Sequence, residues 1–406
     1  MEALRPATLD ELRDAVADAA ASGRAIEVRG GGSKRALGRP VRADGTLSLD
    51  RLSGVISYEP AELVLTAMAG TRLADIESLL ADHSQMLAFE PPDWRRLLGA
   101  DSATPTLGGT LACNLAGPRR IKIGAARDHF LGFSGVSGHG EIFKAGGKVV
   151  KNVTGYDVSK LMAGSYGTLA ALAEVTVKVV PRPEEQRTLL IAGLDDARAV
   201  AALADGLNSA HEVSAAAHLP AEAAARSAVT TVAAAGRALT VLRIEGPGAS
   251  VTFRGDALRS MVASLGAVEM IDGTESERLW REIADVGSLL PTDGRAVWRV
   301  SVPPASGPAV GSTVRAACDA SVFYDWGGGL IWMSVPEGGD ASASAIRSAV
   351  AGTGGHATLI RAPESVRAAV AVFEPLTPPL AALTRRVKES FDPAAVLNRG
   401  RMYADV

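Results

Sequence analysis

Cysteine is nearly absent: the 406-residue chain has two, Cys113 and Cys318, far apart and outside any C-x-x-C pair. That excludes a disulfide framework and a four-cysteine iron–sulfur or zinc centre, and it makes a reducing compartment the default. Histidine is scarce too, with six residues and no histidine-rich tract. A basic excess is missing; the formal net charge of −3 argues against a nucleic-acid binder. No apolar run approaches the length of a membrane span. The opening "MEALRPATLDELRD" lacks a basic segment followed by an apolar one, so no secretory leader is expected. The expectation is a cytoplasmic protein without a membrane span, any membrane association coming through partners.

Glycine is what the chain has in plenty: 43 residues, beside 4% aromatics and 47% hydrophobic residues. That balance reads as a loop-rich α/β or α+β protein, and the length suggests two domains or three. In "VRGGGSK", Gly30, Gly31 and Gly32 give up side chains so that successive N–H groups can form an anion-binding nest, with Lys34 as a point charge. Neither common phosphate fingerprint fits. Ser33 and Arg35 flank Lys34 where a P-loop needs other residues, and Arg35 stands where a Rossmann motif needs its third glycine. Alone, the stretch reads equally well as a surface turn. Two more glycine-rich loops, "TLGGTLACNLAGPRR" and "GGKVVKNVTGYD", change the balance. Three such loops suit one large anionic ligand with a pyrophosphate, held by loops of an α+β scaffold and not by a doubly wound sheet.

The rest of the chain supplies that scaffold. "TLDELRDAVADAAASG" predicts a helix with a capping box, Thr8 to Glu11, ending near Gly23. A strand over residues 25–29 feeds the first loop. "ELVLTAMAG" is a second strand, after which Thr71 caps a helix with the apolar face Leu73, Ile76, Leu79 and Leu80. A strand over residues 174–180 and the punctuation "PRPEEQ" close the first segment. Beyond it, an alanine-rich helical region over roughly 195–235 precedes four strands, "LTVLRIEG", "AVWRVSVP", "LIWMSVP" and "ATLIRAP". Helical patterns between them predict an antiparallel sheet with helices on one face, and their rhythm hints at a duplicated βαβ-like unit. One more helix and an irregular tail follow.

In order along the chain, "VRGGGSK", "FEPPD", "LGGTLACNLAGPRR", "ARDHFLG", "GGKVVKNVTGYDVSKLMAGSYGTLAALAEVTVKV" and "LNRGRMYA" resemble the FAD-binding subunit of bacterial glycolate oxidase, GlcE type, among the vanillyl-alcohol-oxidase-like flavoproteins. The resemblance implies an α+β chain: a two-lobed PCMH-type FAD-binding domain over 1–183, an antiparallel-sheet cap domain over 184–374, and a segment 375–406 returning to the first domain. It implies that Gly30, Gly31, Gly32, Ser33 and Lys34 form a pyrophosphate loop, with Pro91 and Pro92 near the flavin ring. Gly108, Gly109, Asn114, Ala116 and Gly117 match a second cofactor loop, and Gly124, Arg127 and Asp128 the motif after it. Lys151, Asn152 and Tyr156 are expected to face the flavin, and Val175 to offer main-chain bonds to adenine. Against these, Arg119, Arg120 and Lys122 read equally as a solvated basic face, and Asp128 as a turn cap. Arg399 stands where relatives often carry proline. No histidine lies in the first two loops, so FAD is expected to be bound non-covalently.

Oxidation of a 2-hydroxy acid needs a cation for the carboxylate and a base for the hydroxyl proton. His356, in "GGHATLIRAP", is the histidine to nominate as base, with Arg361 as clamp and Tyr324 and Trp326 as pocket walls; a plain turn histidine is the competing reading. The resemblance also implies partners. A sister D-type flavoprotein carries the metal-and-histidine substrate site, whose elements are absent here, and an iron–sulfur subunit carries the cluster this chain cannot hold. Glycolate or another small 2-hydroxy acid is the expected substrate. A stand-alone dehydrogenase and a scaffold with a vestigial flavin site remain as alternatives.

Overall fold

The computed structural model describes residues 2–147, 155–290, 293–404 and 406. Two compact units emerge: Met1–Leu115, Gly124–Arg182 and Pro375–Val406 make the first, Ala116–Ile123 and Pro183–Glu374 the second. The short excursion 116–123 thus packs with the second unit, although the sequence places it inside the first domain.

In the first unit the helix Leu9–Ser22 starts at the predicted N-cap Thr8, but the predicted box closes one residue early, on the Ala7 N–H instead of the Thr8 N–H. Thr8 Oγ1 accepts from the Glu11 N–H at 3.1 Å, and the Glu11 carboxylate reaches back to the Ala7 N–H at 2.7 Å. Leu12, Val16 and Ala19 recur at helical spacing and are fully buried. They pack on a small parallel sheet of β1 (Glu2–Leu4), β2 (Ile26–Arg29) and β3 (Gly45–Ser48), in the order β1-β3-β2. A larger antiparallel sheet contributes Val136 and Ala171 to the same core. Its strands are β4 (Val55–Glu59), β5 (Val64–Met68), β7 (Phe130–Ser137), β8 (Ile142–Gly146) and β9 (Ala170–Lys178), ordered β4-β5-β9-β7-β8. A short pair, β6 (Gln85–Met86) and β10 (Val180–Pro181), lies apart from it. The tail completes the core. Val396 and Leu397 are buried in it, and Ile26 and Leu397 form a parallel bridge that makes the tail an extra partner of β2. Thr71 does not cap the helix Leu73–Asp82: its hydroxyl donates to the Met68 carbonyl at 2.7 Å, and Arg72 occupies the cap position without a side-chain bond.

The second unit is one eight-stranded antiparallel sheet. Its strands are β11 (Glu185–Ala192), β12 (Ala215–Leu219), β13 (Leu239–Gly246), β14 (Val268–Asp272), β15 (Arg295–Ser301), β16 (Ser321–Asp325), β17 (Leu330–Pro336) and β18 (His356–Arg361). The order β14-β11-β13-β12-β16-β17-β15-β18 reads as two copies of one β-α-β-β-α-β pattern, joined where β12 meets β16. The duplicated unit is therefore longer than the βαβ rhythm suggested. Each copy buries one sheet face under two helices. Leu189, Ile191, Leu242 and Ile244 pack with Asp196–Asn208 and Gly248–Val262; Trp298, Val300, Ile331 and Met333 pack with Gly307–Ala317 and Ala343–Val350. At the join, Asp196 receives the Tyr324 hydroxyl at 2.6 Å and pairs with Arg315 and His218. Burial would raise the Asp196 pKa, but these three partners hold it well below the usual carboxylate range.

Candidate functional site

In the first unit, β2 ends at Arg29 and the chain turns through Gly30–Gly32 against the loop that enters the helix Leu107–Ala112. The glycines divide into two kinds. A Cβ on Gly30 would run into Thr106 Oγ1, one on Gly31 into the Thr104 carbonyl, and one on Gly108 to 2.6 Å from Ala69 Cβ. These three let neighbouring segments pack closely, and the Thr104 N–H on the Gly31 carbonyl at 3.1 Å seals the two loops. Gly32 is different. Its φ of 83° is in the left-handed region and a Cβ there would meet nothing nearer than 3.9 Å, so it turns the chain and leaves it open.

Beside these loops lies a cleft that opens to solvent, about 690 Å³ when the open space at its mouth is included. Its lining combines the main chain of residues 30–33, Lys34 and Arg401 with the apolar side chains of Leu49, Ala69, Ala112, Ala170 and Leu172. Arg401 comes from the tail and is 6% exposed. Its guanidinium donates to the Lys34 carbonyl at 2.8 Å and stands 3.8 Å from Glu27, which also holds Arg35 at 2.8 Å. Asn398 brackets β2 and the wall together, accepting the Val28 N–H at 2.8 Å and donating to the Tyr166 carbonyl at 2.8 Å. Withdrawal from water lowers the pKa of Lys34 against the nearby Cys113 and Asp93, and raises that of the Cys113 thiol against Lys34 and Arg401.

Of the residues named from sequence, Gly30–Gly32, Ser33, Lys34, Gly108 and Gly109 meet at this cleft. Pro91 and Pro92 are buried in the segment whose Asp93 acts electrostatically on Lys34. Asn114, at a φ of 48°, accepts the Arg127 N–H at 3.0 Å, and the Arg127 side chain is exposed. Asp128 closes its own turn onto the Ala125 N–H at 2.9 Å beside Gly124, the turn-cap reading. Ala116 and Gly117 belong to the second unit. Lys151 and Asn152 lie outside the described residues, and Tyr156 is 95% exposed. Val175 sits mid-sheet between Ala67 and Phe133, so its main-chain groups serve neighbouring strands and the adenine role has no free backbone to use; β9 reaches the cleft at Ala170 and Leu172 instead.

The nominated base and clamp do not meet. His356 and Arg361 are the two ends of β18, five residues and roughly 17 Å apart along an extended strand. Arg361 is held there by the Arg295 carbonyl and stands 3.8 Å from Glu337. Tyr324 is fully buried on Asp196, so it walls no pocket with Trp326. Arg119, grouped in sequence with a solvated face, is 7% exposed and paired with Glu245 at 2.5 Å. Sequence reasoning missed Asn398, Arg401 and Tyr166 as parts of the cleft, although "LNRGRMYA" stood among the quoted motifs. No group of His, Cys, Asp and Glu suited to a metal occurs among the described residues.

A family profile described as an FAD binding domain matches residues 3–146. Along 401 residues the chain is 32% identical to the glycolate oxidase subunit GlcE of Escherichia coli, covering 98% of this chain and 97% of that one. The chain belongs to the GlcE family. Over 166 residues this GlcE-family chain is also 34% identical to the glycolate oxidase subunit GlcD of Bacillus subtilis, covering 41% of this chain and 34% of that one. Among solved structures it is similar to p-cresol methylhydroxylase, with a TM-score of 0.71 at 14% identity, covering 99% of this chain and 88% of that one. Alkyldihydroxyacetonephosphate synthase gives 0.69 at 17% identity, covering 98% and 75%. The GlcE-family chain is thus an α+β, PCMH-type member of the FAD-dependent oxidoreductases, and FAD is its cofactor. Among the described residues no helix is long and apolar enough to cross a membrane.

Arg401→Ala is expected to weaken FAD binding by about tenfold, because the guanidinium holds the chain after the glycine loop through two carbonyls and adds positive charge to the cleft. Fluorescence titration of free FAD onto the stripped protein measures it.

Proposed function

We propose that this chain is the FAD-binding subunit of a complex that oxidises glycolate or a close 2-hydroxy acid, alongside a D-type catalytic flavoprotein and an iron–sulfur subunit. The observation that carries the reading is the cleft at the glycine loop, lined by both basic and apolar residues, in a chain of GlcE kinship. The residues fit FAD on their own chemistry. Main chain opened by Gly32, with Lys34 and Arg401 close by, suits a diphosphate; the Leu49, Ala69, Ala170 and Leu172 walls suit flat ring systems. When bound, FAD supplies the two-electron acceptor for a hydroxyl-bearing carbon. With two cysteines, the chain leaves any four-cysteine cluster to a partner.

The visible spectrum of the chain purified alone tests this. A yellow protein whose flavin is released on acid denaturation supports non-covalent FAD. A colourless protein that gains no flavin absorbance when FAD is added disposes of the reading. Glycolate added without oxygen should bleach the flavin in the assembled complex.

A further inference from the structure

The helix Pro378–Phe391, in the first unit, inverts the usual pattern of burial. Among its described residues the one buried side chain is a lysine, Lys388, 3% exposed, while Leu380 and Leu383 stand in the open. A charge turned inward where leucines turn outward needs a reason other than core packing. Its ammonium has three donors, and three acceptors meet it: the Asp392 carboxylate at 2.6 Å, the Thr168 carbonyl at 2.7 Å and the Leu397 carbonyl at 3.0 Å. Asp392 is buried too and equally engaged. It accepts the Leu397 N–H at 2.8 Å and the Val396 N–H at 3.0 Å, and a Cβ on Gly138 would run into its carboxylate.

Withdrawal from water lowers the Lys388 pKa even against Asp392, so burying this pair carries a desolvation cost. Well-packed apolar residues in place of such a pair are often as stable, so stability alone does not account for it. What the pair sets is the course of residues 392–401. Ala395 and Asn398 take left-handed conformations there, φ 49° and 44°, and for alanine that is strained. Asn398 follows directly on Leu397, accepting the Val28 N–H and donating to the Tyr166 carbonyl, and Arg401 reaches the Lys34 carbonyl. The ammonium's bond to Thr168 holds the chain just beyond Tyr166 and Gly167. Tyr166, Gly167, Asn398 and Arg401 all line the cleft. One buried ammonium thus joins the two stretches of chain that carry them.

We infer that Lys388 and Asp392 are positioning residues of the FAD site: they make residues 392–401 a strap whose docking is linked to FAD occupancy. Neither residue lines the cleft, so both act through Asn398, Arg401 and the turn at Tyr166. A ligand that binds the docked strap better than the free one favours docking by the same factor as docking favours the ligand. Beyond the proposed function, this rests on that reading only in placing FAD in this cleft.

Hydrogen exchange of the full chain, FAD-loaded and stripped, tests the link without any substitution and stays decisive if a variant fails to fold. FAD should slow amide exchange over residues 392–401 by about tenfold or more, and equal exchange in the two states would overturn the inference. Lys388→Met should weaken FAD binding about tenfold in fluorescence titration, and excess FAD should restore protection of its strap. Asp392→Asn, which keeps an oxygen for the Val396 and Leu397 N–H groups, should weaken binding less than Asp392→Ala. Leu80→Ala, in the buried face of the helix Leu73–Asp82 and outside the cleft lining, gives the scale of a general loss of stability: a lower melting temperature with unchanged FAD affinity. The same outcome for Lys388→Met would make its role structural only and overturn the inference. Gly31→Val separates the two readings. Full FAD affinity in that variant removes FAD from this cleft and the strap's link with it, whereas lost affinity there beside unchanged affinity in Lys388→Met defeats the strap alone.

Discussion

Gly31→Val is expected to yield a folded chain that emerges from purification without flavin. The Gly31 Cβ position coincides with the Thr104 carbonyl, main chain that has no rotamer to give. Accommodating valine must push residues 30–34 away from the loop at 103–109, breaking the Thr104–Gly31 hydrogen bond and the bridge from Gly32 to Thr104. Overpacking of this kind costs about 1–3 kcal/mol, and because the displaced loop is the wall of the cleft, the cost falls on binding. FAD affinity should drop by about a hundredfold, measured by fluorescence titration and by the absorbance ratio of the purified protein. Gly338→Ala is the control: a Cβ there meets nothing within 4 Å, and both flavin content and melting temperature should match the parent.

The second large effect belongs to Arg119→Ala. Arg119 and Glu245 are each 9% exposed in their side chains, and Arg243 flanks the same carboxylate at 3.5 Å. Burial alone would raise the Glu245 pKa, but Arg243 and Arg119 outweigh it and bring it to about 2. The sign follows from that depression. The pair contributes fully above the ordinary glutamate value of 4.5, and its contribution is lost as pH falls from there toward about 2. The shift corresponds to about 3 kcal/mol at neutral pH. Without Arg119, Glu245 remains buried beside Arg243 alone, and the second unit should lose about 3 kcal/mol, since a buried charge deprived of its partner is costly. Urea unfolding at neutral pH should show that loss, and the difference between parent and variant should shrink as pH approaches 3. A difference that stays constant across that range would show that the pair is not its source.

What the sequence conveyed and what it hid follow from the range of the interactions. The N-cap at Thr8 was legible because its partner, the Glu11 N–H, lies three residues on. β13, β15, β17 and β18 were legible from their β-branched and aromatic runs, yet β11, β12, β14 and β16 were not; "AAAHL" of β12 has little intrinsic strand preference and is a strand because β13 and β16 pair with it. Gly30–Gly32, Gly108 and Gly109 of the first two loops line the cleft, but the reason given for those glycines covered only part. Gly30 and Gly31 are glycine because another loop passes against them, and that loop lies some seventy residues on. Arg401 was invisible as a cleft residue for the same cause: its partners are at Lys34, Arg35 and Glu27, at the other end of the chain. His356 and Arg361 looked adjacent because six letters separate few symbols on a page; an extended strand turns that into the length of a sheet.

The tail's place beside β2 has a consequence for synthesis. All of the second unit has been made by residue 374, whereas the first unit waits for residues 396–401 before β2 gains its last partner and the glycine loop its arginine. On the ribosome, the later-made domain can therefore finish first, reversing the usual N-to-C order. Cofactor loading then waits until residues 396–401 have been made and have reached β2.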